Sequence, residues 1–132
     1  MIWLNVAELT VTSAAFEDTS GNYTCIPEVT LVEEQERVRL GLGTIIPEGQ
    51  YRLLLEFEGI LNDKLRGFYR SSFQDEHGLE HIIATTQFES TNARRAFPCF
   101  DEPDFKAVFG VTLIVPRCPF HKFATSEAGA RL

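Results

Sequence analysis

One stretch limits what this chain can become more than any other: residues 86–103, T-Q-F-E-S-T-N-A-R-R-A-F-P-C-F-D-E-P. It reads as a strand end, a helical turn and a corner bounded by two prolines. If residues 82–89 form a strand, Gln87 and Glu89 share one face and Phe88 points to the other. Phe88 then anchors the strand while the amide and the carboxylate look outward together. Such a pair can clamp a cationic group such as an ammonium. The plainer reading is two solvated polar side chains on a wet sheet face. Ser90, Thr91 or Asn92 can cap a short helical turn through Ala93, Arg94, Arg95 and Ala96, which Pro98 ends. Asp101 and Glu102 can pair with Arg94 or Arg95. A tight corner needs its exposed backbone satisfied, so these four charges read as structural rather than catalytic.

The remainder reads as strand after strand. Residues 9–16 and 22–32 are rich in Val, Thr, Tyr and Ile, and the turn-prone E-D-T-S-G-N between them suggests a hairpin. Pro27 weakens the second run and favours an edge or a bulge there. Residues 37–42 (R-V-R-L-G-L) alternate charged and apolar side chains, the mark of a half-buried strand. Ile46 to Gly49 is a turn. Residues 50–59 form the clearest strand, with Tyr51, Leu53, Leu55 and Phe57 on one face and Arg52, Glu56 and Glu58 on the other. A polar loop at Asn62, Asp63 and Lys64 leads past Gly67 into a strand over residues 68–73. A polar turn ending at Gly78 follows. Residues 106–115 alternate again and read as a last strand. The expected fold class is therefore all-β and antiparallel, with one short helical turn near 91–96.

A chain of 132 residues makes one modest domain with one core, and eleven Phe against one Trp make Phe its main aromatic filling. The net charge of −7 opposes nucleic acid and anionic membrane as partners, since both need a positive field. Cys25, Cys99 and Cys118 are odd in number and widely spaced, with no C-x-x-C, so reduced thiols in a cytoplasmic protein are the simplest account. The opening residues show no secretory leader pattern, and no run approaches membrane-spanning length.

His77, Glu80 and His81 spell H-x-x-E-H, an inverted zinc-protease motif. Zinc chemistry wants both His on one helix face. Here Gly78 interrupts the would-be helix, D-E-H-G reads as a turn, and the following residues favour strand. No metal ligands are therefore assigned. His121 and Cys118, near the C-terminus, make only a weak pair, and neither a phosphate loop nor a G-x-S-x-G elbow is present.

The stretch at 86–103 resembles the signature of the N-terminal domain of zinc aminopeptidases of the aminopeptidase N and puromycin-sensitive group. G-I-L-N-D-K-L-R-G-F-Y-R-S-S-F before it and D-F-K-A-V-F-G-V-T-L-I-V-P after it are similar to the same domain, and the likeness covers roughly residues 2–116. The resemblance implies a saddle-like β-sandwich truncated at both ends, over residues 1–116, with residues 117–132 a non-matching, loose tail. It implies peptidases that remove single N-terminal amino acids, with zinc held by H-E-x-x-H in another domain. Neither that motif nor the G-A-M-E-N exopeptidase motif occurs here, so no catalytic residue and no cofactor is assigned to this chain. The family's residues at the positions of Gln87 and Glu89 line the first substrate pocket, which makes these two the substrate-binding candidates. The expected partner is a peptide N-terminus, held weakly by this chain alone. The alternative is a non-enzymatic β module that self-associates or docks through open sheet edges. A third possibility is a small metalloprotein using His77, Glu80 and His81.

Overall fold

A computed structural model describes residues 1–114. Among them the chain is almost wholly strand, and every strand pair is antiparallel. Eight strands form two three-stranded sheets and a separate hairpin. They are β1 (Ile2–Asn5), β2 (Leu9–Glu17), β3 (Tyr23–Cys25), β4 (Glu28–Val32), β5 (Arg37–Gly41), β6 (Arg52–Gly59), β7 (Gly67–Gln74) and β8 (Glu80–Gln87). The first sheet runs β1-β5-β4, the second β3-β2-β6, and β7 pairs only with β8.

The core forms where the apolar faces of the two sheets meet. Leu4, Val38 and Leu40 come from the first sheet; Leu9, Ala14 and Phe16 come from the second. Val38 and Leu40 are wholly enclosed, as expected for the central strand of a sheet. The apolar alternation of 37–42 delivers these two side chains inward and leaves Arg37 exposed. Leu53 and Leu55 pack against the core from β6 opposite Phe16 and Ala14, so the face expected for that strand is the face it uses.

Four features depart from the expectations. Residues 2–5, not read as a strand, pair with β5. Pro27 splits the expected run 22–32: β3 stays with β2, and β4 crosses to the other sheet after Ile26 has donated to the Ala14 carbonyl. A chain without a donor at 27 has less to lose there by leaving the ladder. A second short helical turn, a 3₁₀ segment at Glu33–Gln35, precedes β5. Residues 106–114 form no strand. Alternation makes a segment fit for a sheet, but a ladder needs a neighbour, and among the described residues none lies beside it.

The β2–β3 turn is built by Asp18, whose carboxylate accepts from the backbone N–H of Ser20 and Asn22 and from the Asn22 side chain. A β-bulge between Val11 and Ser13 changes the parity of β2. Leu9 before it and Ala14 and Phe16 after it can thus all face the core although their spacing breaks strict alternation. Among the described residues no helix is long and apolar enough to cross a membrane. The expected tail at 117–132 lies outside the described residues.

Candidate functional site

The signature stretch is bolted to the N-terminal strand. Asn5 donates its backbone N–H to the Cys99 carbonyl at 2.8 Å and accepts from the Cys99 N–H at 3.2 Å. The Ala7 N–H reaches the Arg94 carbonyl at 3.0 Å. The Asn5 side chain, buried, accepts from the Asp101 N–H at 3.2 Å. A buried amide needs such a partner, and this one fixes the corner to the core.

The helical turn is a single 3₁₀ turn, Ala93–Arg95. Asn92 occupies the capping position but does not cap; its side-chain amide turns back to the Glu89 carbonyl at 3.1 Å. Arg94 donates through Nε to Asp101 at 2.9 Å, the pairing expected from the sequence, and through a second nitrogen to Glu36 at 3.2 Å. Arg95 ignores the nearby acids and forks between Glu8 and Glu36, at 2.6 Å to each. Glu8 also receives Lys64 at 2.9 Å and Arg66 at 3.3 Å. The hydrogen bond from Lys64 pulls the Glu8 carboxyl below the usual range most strongly; burial opposes, and the charges of Arg95, Lys64 and Arg66 add to the lowering. Burial also pushes the Cys99 thiol up to about 12, so it stays protonated and inert.

The corner charges are thereby assigned to structure, except Glu102, for which no ion pair forms among the described residues. Glu8 and Glu36 were missed by sequence reasoning. They lie 87 and 59 residues from Arg95, and no local pattern marks them.

The two candidate residues sit at the end of β8. Gln87 is the last residue of the strand and stands opposite Gly67; its side chain is exposed. Glu89 is exposed two residues beyond, outside the ladder, so strand alternation does not set its direction. Phe88 between them is half-buried and packs edge-on against Phe97, 5.8 Å between ring centres. An open pocket lies beside this turn. Glu89 lines it together with Phe88, Phe97, Phe100, Phe105 and Glu102; Gln87 does not. Among the described residues the Glu89 carboxylate has no hydrogen bond or ion pair, whereas Glu8, Glu36 and Asp101 are all engaged. The structure thus brings an uncommitted acid to an aromatic-walled pocket and leaves the amide outside its lining.

The H-x-x-E-H string falls on the β7–β8 hairpin. Asp75 organises the turn, accepting from the N–H groups of His77 and Leu79 at 2.9 Å each. Its other oxygen meets Nε2 of His81 at 2.8 Å, and that hydrogen bond is the main reason the Asp75 carboxyl is held low. His81 stacks on Phe73 across the strands, while His77 is exposed. Among the described residues no group of three His, Cys, Asp or Glu side chains is placed to hold a metal ion. The zinc that the resemblance implies is one held in another domain, so these residues are not asked to bind it.

Comparison with known proteins places the chain. A family model described as the Peptidase M1 N-terminal domain matches residues 1–126, running past Pro116. Aminopeptidase M1 of Arabidopsis thaliana is 47% identical over 118 residues, which cover 87% of this chain and 13% of that protein. Puromycin-sensitive aminopeptidase of Caenorhabditis elegans is 57% identical over 74 residues, covering 56% of this chain and 8% of that protein. Aminopeptidase N of Homo sapiens is 45% identical over 93 residues, covering 70% and 10% respectively. The chain thus matches about an eighth or less of the length of these relatives.

Proposed function

This chain belongs to the Peptidase M1 N-terminal domain family, and from that membership we propose that it is the β domain of a zinc aminopeptidase, offering Glu89 and Gln87 to the free N-terminus of a peptide. In this reading the zinc and the catalytic groups belong to a separate domain, and the present residues hydrolyse nothing by themselves. Among the described residues Cys25 and Cys99 form no disulfide, which suits a cytoplasmic setting.

The observation that carries the reading is the uncommitted Glu89 carboxylate on the aromatic pocket. A free peptide N-terminus brings an ammonium with three donors, and a charge-assisted hydrogen bond to Glu89 rewards it. An internal peptide bond or an acylated terminus offers no such charge and leaves the acid unmatched, so the contact selects for chain ends. The neighbouring phenyl rings give the first side chain of the peptide an apolar surface, and their faces favour a nearby cation. Gln87 supplies a further amide oxygen from the strand end. Because Glu89 is exposed, the ion pair contributes only roughly 0–1 kcal/mol in this chain alone.

NMR titration of the labelled chain with an amino-acid amide, and with its N-acetylated form, tests the proposal. The expected result is perturbation of the Glu89 and Gln87 amides by the free amine only, abolished in Glu89→Gln. Equal perturbation by both ligands, or none by either at high concentration, overturns it.

A further inference from the structure

The structure leaves a sheet edge without a strand and a strand-like segment without a sheet. In the order β3-β2-β6, the outer edge of β6 carries no neighbour among the described residues. At eight residues it is among the longest strands, and a long bare edge is a template for another strand. Residues 106–114 have the composition of a strand and no ladder. Val108 is 100% exposed and Ile114 94%, with Val111 and Leu113 largely in water. Apart from Lys106 the segment is uncharged, β-prone and free of proline, the character of a segment that seeks a partner.

The two unmet surfaces match each other residue by residue. Laid antiparallel with Lys106 opposite Glu58, the segment sets Val108 against Glu56, Gly110 against Leu54 and Thr112 against Arg52. The other face pairs Ala107, Phe109, Val111 and Leu113 with Phe57, Leu55, Leu53 and Tyr51. That second row continues the core side of β6, where Tyr51 and Phe57 are still partly exposed. A shift of one residue would turn the row of Ala107, Phe109, Val111 and Leu113 to the charged face. The one cation of the segment meets an acid in this register, and its apolar row meets the apolar row of the strand.

Within one molecule Phe109 packs against Phe97 of the signature corner at 5.8 Å, and the segment does not lie on β6. Edge and strand belong to the same chain, so two copies can satisfy each other reciprocally and close the assembly. We propose that residues 106–113 of one molecule add to the β6 edge of a second copy in an antiparallel, two-fold symmetric dimer. The contact uses neither Gln87 nor Glu89, although Lys106, Ala107 and Phe109 also line the pocket beside Glu89; its failure would leave that pocket as described and the proposed function standing.

Light scattering on the eluting 132-residue chain should give twice the monomer mass at high concentration and the monomer mass on dilution. Lys106→Glu and Glu58→Lys should each weaken the dimer about tenfold, since attraction becomes repulsion at both equivalent contacts, and the double variant should restore it. Both positions are exposed, and circular dichroism verifies that the variants fold. In a background with the native cysteines replaced by serine, Val108→Cys with Glu56→Cys should oxidise to a covalent dimer. A monomer at all concentrations, open-ended growth, a charge-swapped pair that stays weak, or a crosslink within one chain would each overturn the proposal.

Discussion

At the scale of single residues, the corner shows why charge partners are hard to read from a sequence. Arg94 and Asp101 are seven residues apart, and their pairing is legible because a short turn must bring them together. Glu8 and Glu36 are not legible. Each adopts a left-handed backbone, φ 59° and 50°, which disfavours any residue with a Cβ. Nothing in a local window suggests an acid there; it is the tertiary structure that brings their carboxylates to Arg94 and Arg95. Gln87 and Glu89 were singled out by strand alternation and by the family resemblance, and the alternation does not reach Glu89 because the strand ends at Gln87. The Glu8 network makes a pH-dependent contribution whose sign can be stated. Its carboxyl is held below the ordinary value in the folded state, so its stabilisation is complete above the unfolded-state value. The contribution fades as pH falls through the folded-state value. Urea midpoints measured from about pH 6 down to about pH 3 should therefore fall, and fall less steeply in Glu8→Gln. Asp18 and Asp75 are lowered as well, so the slope of the variant shrinks without vanishing. Identical slopes in the two proteins would show that Glu8 contributes nothing through its charge.

At the scale of elements, most strands were legible and strand partnership was not. Alternation marks 37–42 and 50–59 because each buries one face and wets the other. The same signal at 106–114 gave a strand that the fold does not make, since alternation carries no information about a neighbour. Residues 2–5 make a strand that was not expected; four residues are too few for periodicity to register, and the ladder with β5 defines them. The β7–β8 hairpin shows what holds an element in place when its faces do not. Phe68, Phe73, Ile82 and Ile83 are all well exposed, and β7 touches the 3₁₀ turn at its start. Gly67 sits at that junction with φ +71°, and an added Cβ would lie 2.5 Å from the Arg95 Cβ. That neighbour is fixed to the backbone and cannot swing aside. Gly67→Ala should cost about 1–2 kcal/mol for the left-handed conformation alone, with the clash adding to it. Denaturant unfolding reads the total. A change below about 0.5 kcal/mol, within the range of ordinary surface substitutions, would mean that the hairpin is not seated on Arg95 as described.

At the scale of the whole molecule, the described residues divide into a part with an inside and a part without one. The two three-stranded sheets share a core of Leu4, Val6, Leu9, Ala14, Phe16, Ile26, Val38 and Leu40. No residue of β7 or β8 belongs to that core; within the two strands only Gly67, at the Arg95 junction, is buried. A two-stranded ribbon by itself is marginal in water, because its ladder is open to solvent and little apolar area is removed. Its opening therefore need not wait for the core to unfold. Native-state hydrogen exchange should resolve the difference. Amides of β5, paired on both edges, and of β2, paired with β6 along its length and with β3 at Ala15, Phe16 and Glu17, should exchange only through global unfolding, with a strong dependence on added denaturant. Amides along β7 and β8 should exchange by a smaller opening with weak denaturant dependence, because little surface is exposed when the ribbon parts. Protection should rise toward Gly67, where the hairpin meets Arg95, and fall toward the Asp75 turn. The candidate acid Glu89 follows directly on this less protected strand, so a bound peptide amine that engages Glu89 should slow exchange along β8 more than in the core. A single protection free energy shared by all eight strands would instead mean that the hairpin and the sandwich unfold as one cooperative unit.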